Sequence, residues 1–316
     1  MNGELFKTTP TGDATPHSKS FTAVQLTMQF GLGVLLLWWI ITWVNLDGEQ
    51  LVQVFTQASF FPLILAALCF TISMVLKALQ YQIFLRSTSG VYLIGIALSQ
   101  NALLTFLPWR IGEMSFPLLL RKDYNIPITS SVSLLLVIRL VDLLIVVTVA
   151  LVGSRKLGLD IHRAAVIFSV VAAVGLLFAL NFALRNLAIG SLQTFTATLE
   201  PLRNALHFGS FLLLSVSIFT LTTLQSTFAL QAMGLAVTLP DIALLNALSL
   251  LAALLPIHPP GGWGTIDSIQ VVVLKHLNYY PGTAVPVILA THCFYTLLIL
   301  VGGIIGWVLR GKACFR

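Results

Sequence analysis

Apolar runs of about twenty residues, separated by short polar stretches, dominate this chain from residue 22 onward. Six have the length a bilayer-spanning helix needs, roughly 20 residues: 22–44, 60–79, 128–151, 164–184, 208–234 and 283–309. Two further apolar stretches, 91–120 and 239–277, are broken in the middle by Pro and Gly. Neither half of either stretch is long enough to cross, so each is expected to enter and leave on one side as a re-entrant hairpin. The segment 45–57 is expected at an interface, and the amphipathic 186–207 along a membrane face. Residues 1–20 are polar, with Thr, Pro, Gly and Ser, and are expected to be disordered. No small-x-small cleavage pattern follows the first apolar run, which predicts an uncleaved first helix. The remainder, 21–316, reads as one transmembrane domain.

The two broken stretches look alike. One contains Asn101-Ala-Leu-Leu, then Pro108, Arg110, Gly112 and Glu113. The other contains Asn246-Ala-Leu-Ser, then Pro256, Pro259, Gly261, Gly262, Gly264 and Asp267. Each is a short apolar run, a break, an acid and a second short run. Counting crossings gives helix–hairpin–helix units at 60–151 and 208–309 with opposite orientation. That is an inverted-topology repeat, in which paired broken helices mark a site near the bilayer midplane. The expected fold is therefore all-α: a polytopic membrane helix bundle of six full crossings plus two re-entrant hairpins.

Composition agrees. The chain is 57% hydrophobic and 9% charged, with a mean hydropathy of +0.95, too little charge for a water-soluble surface. The net charge of +6 does not indicate nucleic acid, because the basic residues sit in short loops and at the tail. With the N-terminus inside, ten Lys/Arg fall on the cytoplasmic side against Arg155, Lys156, Arg163 and Lys275 outside. This satisfies the positive-inside bias and predicts a multi-pass plasma (inner) membrane protein with both termini cytoplasmic. Cys69, Cys293 and Cys314 show neither metal spacing nor a disulfide framework. No metal or cofactor is expected.

Seven titratable side chains fall at membrane depth: Lys77, Arg110, Glu113, Arg139, Asp142, Asp267 and His292. A charge at a bilayer centre costs about 2.5–3.5 kcal/mol on insertion scales, so these groups must pair or face water. From Glu113 to Arg139 is 26 positions, and from Asp267 to His292 is 25. Each hairpin acid thus has a basic partner at a corresponding place on the next crossing. Arg139 and Asp142 also share a helix face at i, i+3. Half-helices starting near Gly112 and Thr265 would present free N–H groups at mid-depth, a setting that favours phosphate or carboxylate. Arg110 and Arg139 add planar five-donor forks, and Gly112, Gly262 and Gly264 allow close backbone approach. The candidate binding set is Arg110, Gly112, Glu113, Arg139, Asp142, Gly262, Gly264, Asp267 and His292. A structural reading stands beside it. Acids in first helical turns stabilise the dipole, Arg139 with Asp142 or Glu113 makes a neutral pair, His292 is then a satisfied buried histidine, and Lys77 snorkels to the interface.

Leu107-Pro108-x-Arg110-x-Gly112-Glu113, then Leu118-Leu119-Leu120-Arg121, then Arg139-x-x-Asp142 resembles the transmembrane-region family of lysylphosphatidylglycerol synthetases. Leu255-Pro256-x-x-Pro259-x-Gly261-Gly262-x-Gly264-x-x-Asp267 is similar to its second half. The chain departs from the family pattern in having Asp267 where Glu is common, and in Ile257-His258-Pro259-Pro260. The resemblance covers nearly all the chain after the polar N-terminus. It implies a flippase-like membrane protein, akin to the lipid-moving domain of the multiple peptide resistance factor. Because the sequence stops at Arg316, just past the last crossing, a lipid-moving and not a lipid-synthesising role is expected.

The expected function is a flippase or transporter moving an anionic-headgroup lipid, such as an anionic phospholipid or a polyprenyl-phosphate-linked lipid. Partners beyond the lipid would be a second copy or enzymes of lipid and glycan synthesis. No ATP-binding motif appears, so any driving force comes from a gradient or a downstream reaction. An intramembrane enzyme acting on lipid phosphates is the main rival, but the chain shows no metal-ligand set or activated nucleophile. A small-anion transporter and a non-transporting scaffold are the others.

Overall fold

The computed structural model describes residues 31, 33–85, 88–107, 111–158, 200–253 and 259–314. The stretch 1–20, the crossing at 164–184, most of 186–207, and the break residues Pro108, Trp109, Arg110, Pro256 and His258 lie outside the described residues.

The described residues form ten α-helices and no strand. Helix α1 (Gly33–Val44) is the described part of the first expected crossing. Helix α2 (Gly48–Thr56) coincides with the expected interfacial segment and buries none of its side chains. The first unit then runs α3 (Phe60–Gln82), α4 (Gly90–Phe106), α5 (Ile111–Tyr124) and α6 (Ile128–Gly153). The second runs α7 (Ala205–Ala232), α8 (Leu239–Ala252), α9 (Thr265–His276) and α10 (Pro281–Cys314). Among the described residues, α3, α6, α7 and α10 are long and apolar enough to cross a bilayer. At 1.5 Å per residue α4 reaches about 25 Å, and α5, α8 and α9 about 18–21 Å, all short of the roughly 30 Å hydrocarbon core. The outward faces are apolar, with Phe60, Phe61, Leu213 and Trp307 exposed, as lipid contact requires.

The packing has the exchange symmetry of a two-unit repeat. Helix α3 packs on its counterpart α7, and α4 packs on α10 as α8 packs on α6. Within the units, the contacts of α5 with α4 and α6 recur as those of α9 with α8 and α10. Each hairpin therefore leans on the last helix of the other unit. In addition, the turn Pro260–Gly262 at the tip of the second hairpin touches α4 of the first.

Helices in lipid gain little from burying apolar surface, so close backbone approach and interhelical hydrogen bonds hold them together. Gly95 on α4 and Gly306 on α10 face each other so closely that a Cβ on either would lie 2.9 or 2.8 Å from the other's carbonyl oxygen. At the corresponding contact, a Cβ on Gly153 of α6 would lie 2.8 Å from Leu244 of α8. Gln80 donates to Ser215 at 2.7 Å between α3 and α7. Tyr81 donates to Gln100 at 2.6 Å between α3 and α4, and Asn246 bonds Ser226 at 3.2 Å between α8 and α7. Two large buried clusters result, beside a small one of Phe70, Met74 and Leu98. One centres on Tyr81, Tyr92, Phe116 and Leu134. The other joins Ile40 of α1 to Val271, Val285 and Ile288.

Candidate functional site

In the first unit, α4 ends at Phe106 and α5 begins at Ile111. The two lie tightly together because Gly112 rests on the backbone of Leu103 and Leu104, where no Cβ would fit. This contact places Glu113 in the first turn of α5, beside the middle of α6. Arg139 projects from there. Its Nη2 is 3.5 Å from Glu113 Oε1, and its Nη1 is 3.7 Å from Asp142 Oδ2. The three side chains are 30%, 21% and 41% exposed. Lys77 on α3 lies within electrostatic reach of all three, so among the described residues two cations meet two anions. Arg139 Nε and Nη2 are buried and make no hydrogen bond to any described residue. The guanidinium is thus held by charge at distances too long for a hydrogen bond, and keeps donors to spare.

The corresponding cluster of the second unit is closed. Gly261, Gly262 and Gly264 all adopt positive φ, at 76°, 73° and 81°, which lets the chain turn through the tip and restart as α9. Gly264 also abuts the Gly33 carbonyl of α1. The close approach that glycine permits is used here by the protein's own backbone. Asp267, three residues into the new helix, accepts from Gly264 N–H at 2.8 Å, so the anion at this helix start is internal. Its other oxygen is 2.6 Å from His292 Nδ1. His292 Nε2 lies 2.9 Å from the Gly261 carbonyl. The imidazole stacks on Trp263 at 3.9 Å between centroids and 5° between planes. Asp267 and His292 are only 1% and 13% exposed. Thr265 donates to the Gly262 carbonyl, fixing the turn.

The structure thus brings the sequence candidates together as two groups: Glu113, Arg139 and Asp142 in one, with Gly112 behind them, and Gly262, Gly264, Asp267 and His292 in the other. Arg110 lies outside the described residues. Both acid–base pairs predicted from the 26- and 25-residue spacings are present, as Glu113–Arg139 and Asp267–His292.

The sequence profile described as Lysylphosphatidylglycerol synthase TM region matches residues 26–303. The chain belongs to the lysylphosphatidylglycerol synthase transmembrane-region family. Comparison with curated proteins finds no match. Every candidate site residue lies within the matched stretch, which runs through both hairpins. Family membership and the long apolar helices make this an integral membrane protein of a lipid-related family.

Three features of this family member escaped sequence reasoning. Lys77 joins the first cluster instead of simply reaching an interface. Its signal was the shared face of Lys77, Gln80 and Tyr81 at i, i+3 and i+4. The other two are clasps at the open ends of the hairpins. Lys156, just past α6, bonds Asp241 at 2.6 Å, and Asp241 also accepts from Thr238 and from Tyr279. Arg310 on α10 bonds Asp123 at 2.7 Å, and Asp123 accepts from Tyr92 at 2.8 Å.

Proposed function

We propose that this protein carries an anionic-headgroup lipid between leaflets, with Arg139 as the headgroup receptor. The observation that carries this reading is the state of the Arg139 guanidinium. It sits halfway along a spanning helix, is partly exposed, and faces two acids without closing a hydrogen bond to either. A phosphate would supply two oxygens for the bidentate contact that this planar fork fits.

Charge balance explains how binding and release are both possible. Among the described residues the charges of the empty cluster balance, which avoids the cost of a lone charge at mid-depth. When a phosphate takes Arg139, Glu113 and Asp142 keep Lys77 as a partner. Their return to Arg139 then releases the headgroup. Arg110, at the break between α4 and α5, adds a second guanidinium by its sequence position. The acyl chains stay in the bilayer beside the apolar outer faces. On this reading the protein is a transporter and not an enzyme, lies in the plasma membrane, and has both termini on the cytoplasmic side.

The test is leaflet exchange in proteoliposomes, run with anionic and zwitterionic lipids. Arg139→Ala and Arg110→Ala should each slow exchange of the anionic lipid about tenfold or more, which corresponds to losing ~1.4 kcal/mol. Folded Arg139→Ala protein that exchanges at the parent rate would overturn the site.

A further inference from the structure

We infer that Asp267 and His292 form a proton-binding site that tethers the tip of the second hairpin to α10, so that a proton's arrival and departure couple to lipid movement. The tether stands on geometry alone. The coupling rests on the transport reading above.

Both ring nitrogens of His292 face acceptors: Asp267 Oδ1 at 2.6 Å and the Gly261 carbonyl at 2.9 Å. A carbonyl only accepts, so Nε2 carries a proton. The other contact needs one more, shared between Nδ1 and the carboxylate. Asp267 Oδ2 already accepts from Gly264 N–H, which favours the carboxylate, so the ring is an imidazolium. The parallel stacking of Trp263 over it is the arrangement a cation on an aromatic face adopts. The loaded pair is therefore neutral as a whole.

Removing one proton leaves one N–H for two acceptors. The hydrogen bond to a carboxylate is the stronger, since one partner is ionised, so Nδ1–H stays on Asp267. Nε2 gives its proton to water, keeps the electron pair, and then points that pair at the Gly261 oxygen. The repulsion breaks the contact. Gly261 belongs to the turn that touches α4, and Trp263 directly follows it, so loss of the proton frees the hairpin tip from α10. The slight exposure of His292, against almost none for Asp267, places the ring on the route for exchange with water.

The neighbouring elements bring few other titratable groups. On α10, Cys293 adjoins the ring and interacts electrostatically with Asp267, and Tyr295 follows. On α9, Lys275 and His276 lie about 12 Å or more along the helix from Asp267. Helices α2, α4 and α7 carry Glu49, Tyr92 and His207, α8 carries Asp241 bonded to Lys156, and α1 carries none. The described hydrogen bonds of the dyad run to each other and to backbone.

Two measurements test this on the full-length protein. First, indole emission from Trp263 is taken as the difference between parent and Trp263→Phe in vesicles from pH 5 to 9. Imidazolium quenches a stacked indole, so this emission should rise in one step as pH rises, and His292→Gln should abolish the step. A parent with no step, or a step that persists in His292→Gln, overturns the proton site. Second, proteoliposomes holding a one-unit pH gradient should drive the anionic lipid toward a tenfold leaflet asymmetry at one proton per lipid, and both His292→Gln and Asp267→Asn should relax to an even distribution. An even distribution with the parent, despite measurable exchange, overturns the coupling. Absence of any exchange by the parent counts against the transport reading instead, and the emission step still decides the proton site.

Discussion

Lys156 and Arg310 are 154 positions apart, and each reaches from the end of one unit's last helix to an aspartate on the other unit's hairpin. Lys156 holds Asp241 at 2.6 Å, and Arg310 holds Asp123 at 2.7 Å. The same offset relates Glu113 to Asp267, so the clasps obey the repeat that the central pairs define. A tyrosine completes each clasp from the opposite arm of the hairpin. Tyr92 on α4 bonds Asp123 on α5, and Tyr279, after α9, bonds Asp241 on α8. Acid and phenol have exchanged arms, but both hairpins are fastened at their open ends. The two clasps differ in burial. Arg310 and Asp123 are each 9% exposed, whereas Lys156 is 45% exposed. Breaking a buried pair leaves an uncompensated charge and costs about 3–5 kcal/mol. An exposed pair contributes roughly 0.2–1 kcal/mol. Thermal unfolding in detergent should therefore show Arg310→Met far less stable than Lys156→Met. Equal losses would mean that the asymmetry in burial has no energetic weight.

The Asp241 clasp also sets a pH dependence. Burial raises the pKa of this carboxyl, but hydrogen bonds from Lys156, Thr238 and Tyr279 outweigh it and hold the value below the ordinary carboxylate range. A depressed acid stabilises the fold above its unfolded value, about 3.9, and that contribution is lost as pH falls through the folded value. The stability difference between parent and Asp241→Asn should be constant from pH 5 to 7 and shrink below about pH 4. Thermal melts across that range check it. A difference that grows on acidification would reverse the assignment.

Much of this arrangement was legible because the bilayer is a severe filter. The expected runs at 60–79, 128–151, 208–234 and 283–309 correspond to α3, α6, α7 and α10 within a few residues, since only about twenty apolar residues in a helix can span hydrocarbon. The acid–base partners were readable from spacing, because a helix that folds back and restarts fixes how far along the next crossing its acid will fall. The clasps were not readable. In the sequence Asp123, Asp241, Lys156 and Arg310 stand at the ends of apolar runs, where a charge ordinarily reaches the interface, so nothing local marks them as paired. The role of Gly264 was equally hidden, because its neighbour Gly33 comes from a helix more than 200 residues earlier.

The central cluster predicts that charge balance matters more to folding than any single pair. Arg139→Met removes one of the two described cations that face Glu113 and Asp142 and should destabilise the protein by about 1–3 kcal/mol, below the fully buried case because these side chains are partly exposed. Adding Glu113→Gln removes the opposing anion and should recover most of that loss, an interaction a double-mutant cycle measures. Lipid exchange should stay slow in both. Simple additivity of the two losses would show that the four charges do not act as one set.

The helix contacts predict which glycines tolerate a methyl group. A Cβ on Gly112 would run into the backbone of Leu103 and Leu104, and one on Gly306 would meet the Gly95 carbonyl, Leu98 Cβ and the Ser99 nitrogen at 2.8–2.9 Å. None of these is the far end of a flexible side chain, so relief requires the helices to separate. Overpacking of this kind costs about 1–3 kcal/mol. Gly209 supplies the contrast, because it lies inside α7 with nothing within 4 Å of an added Cβ. There alanine only improves helix propensity, by up to about 1 kcal/mol. Melting temperatures should fall for Gly112→Ala and Gly306→Ala and hold or rise for Gly209→Ala. A stable Gly112→Ala protein would mean that α4 and α5 do not meet backbone to backbone, and with that contact gone Glu113 would lose the position that brings it to Arg139.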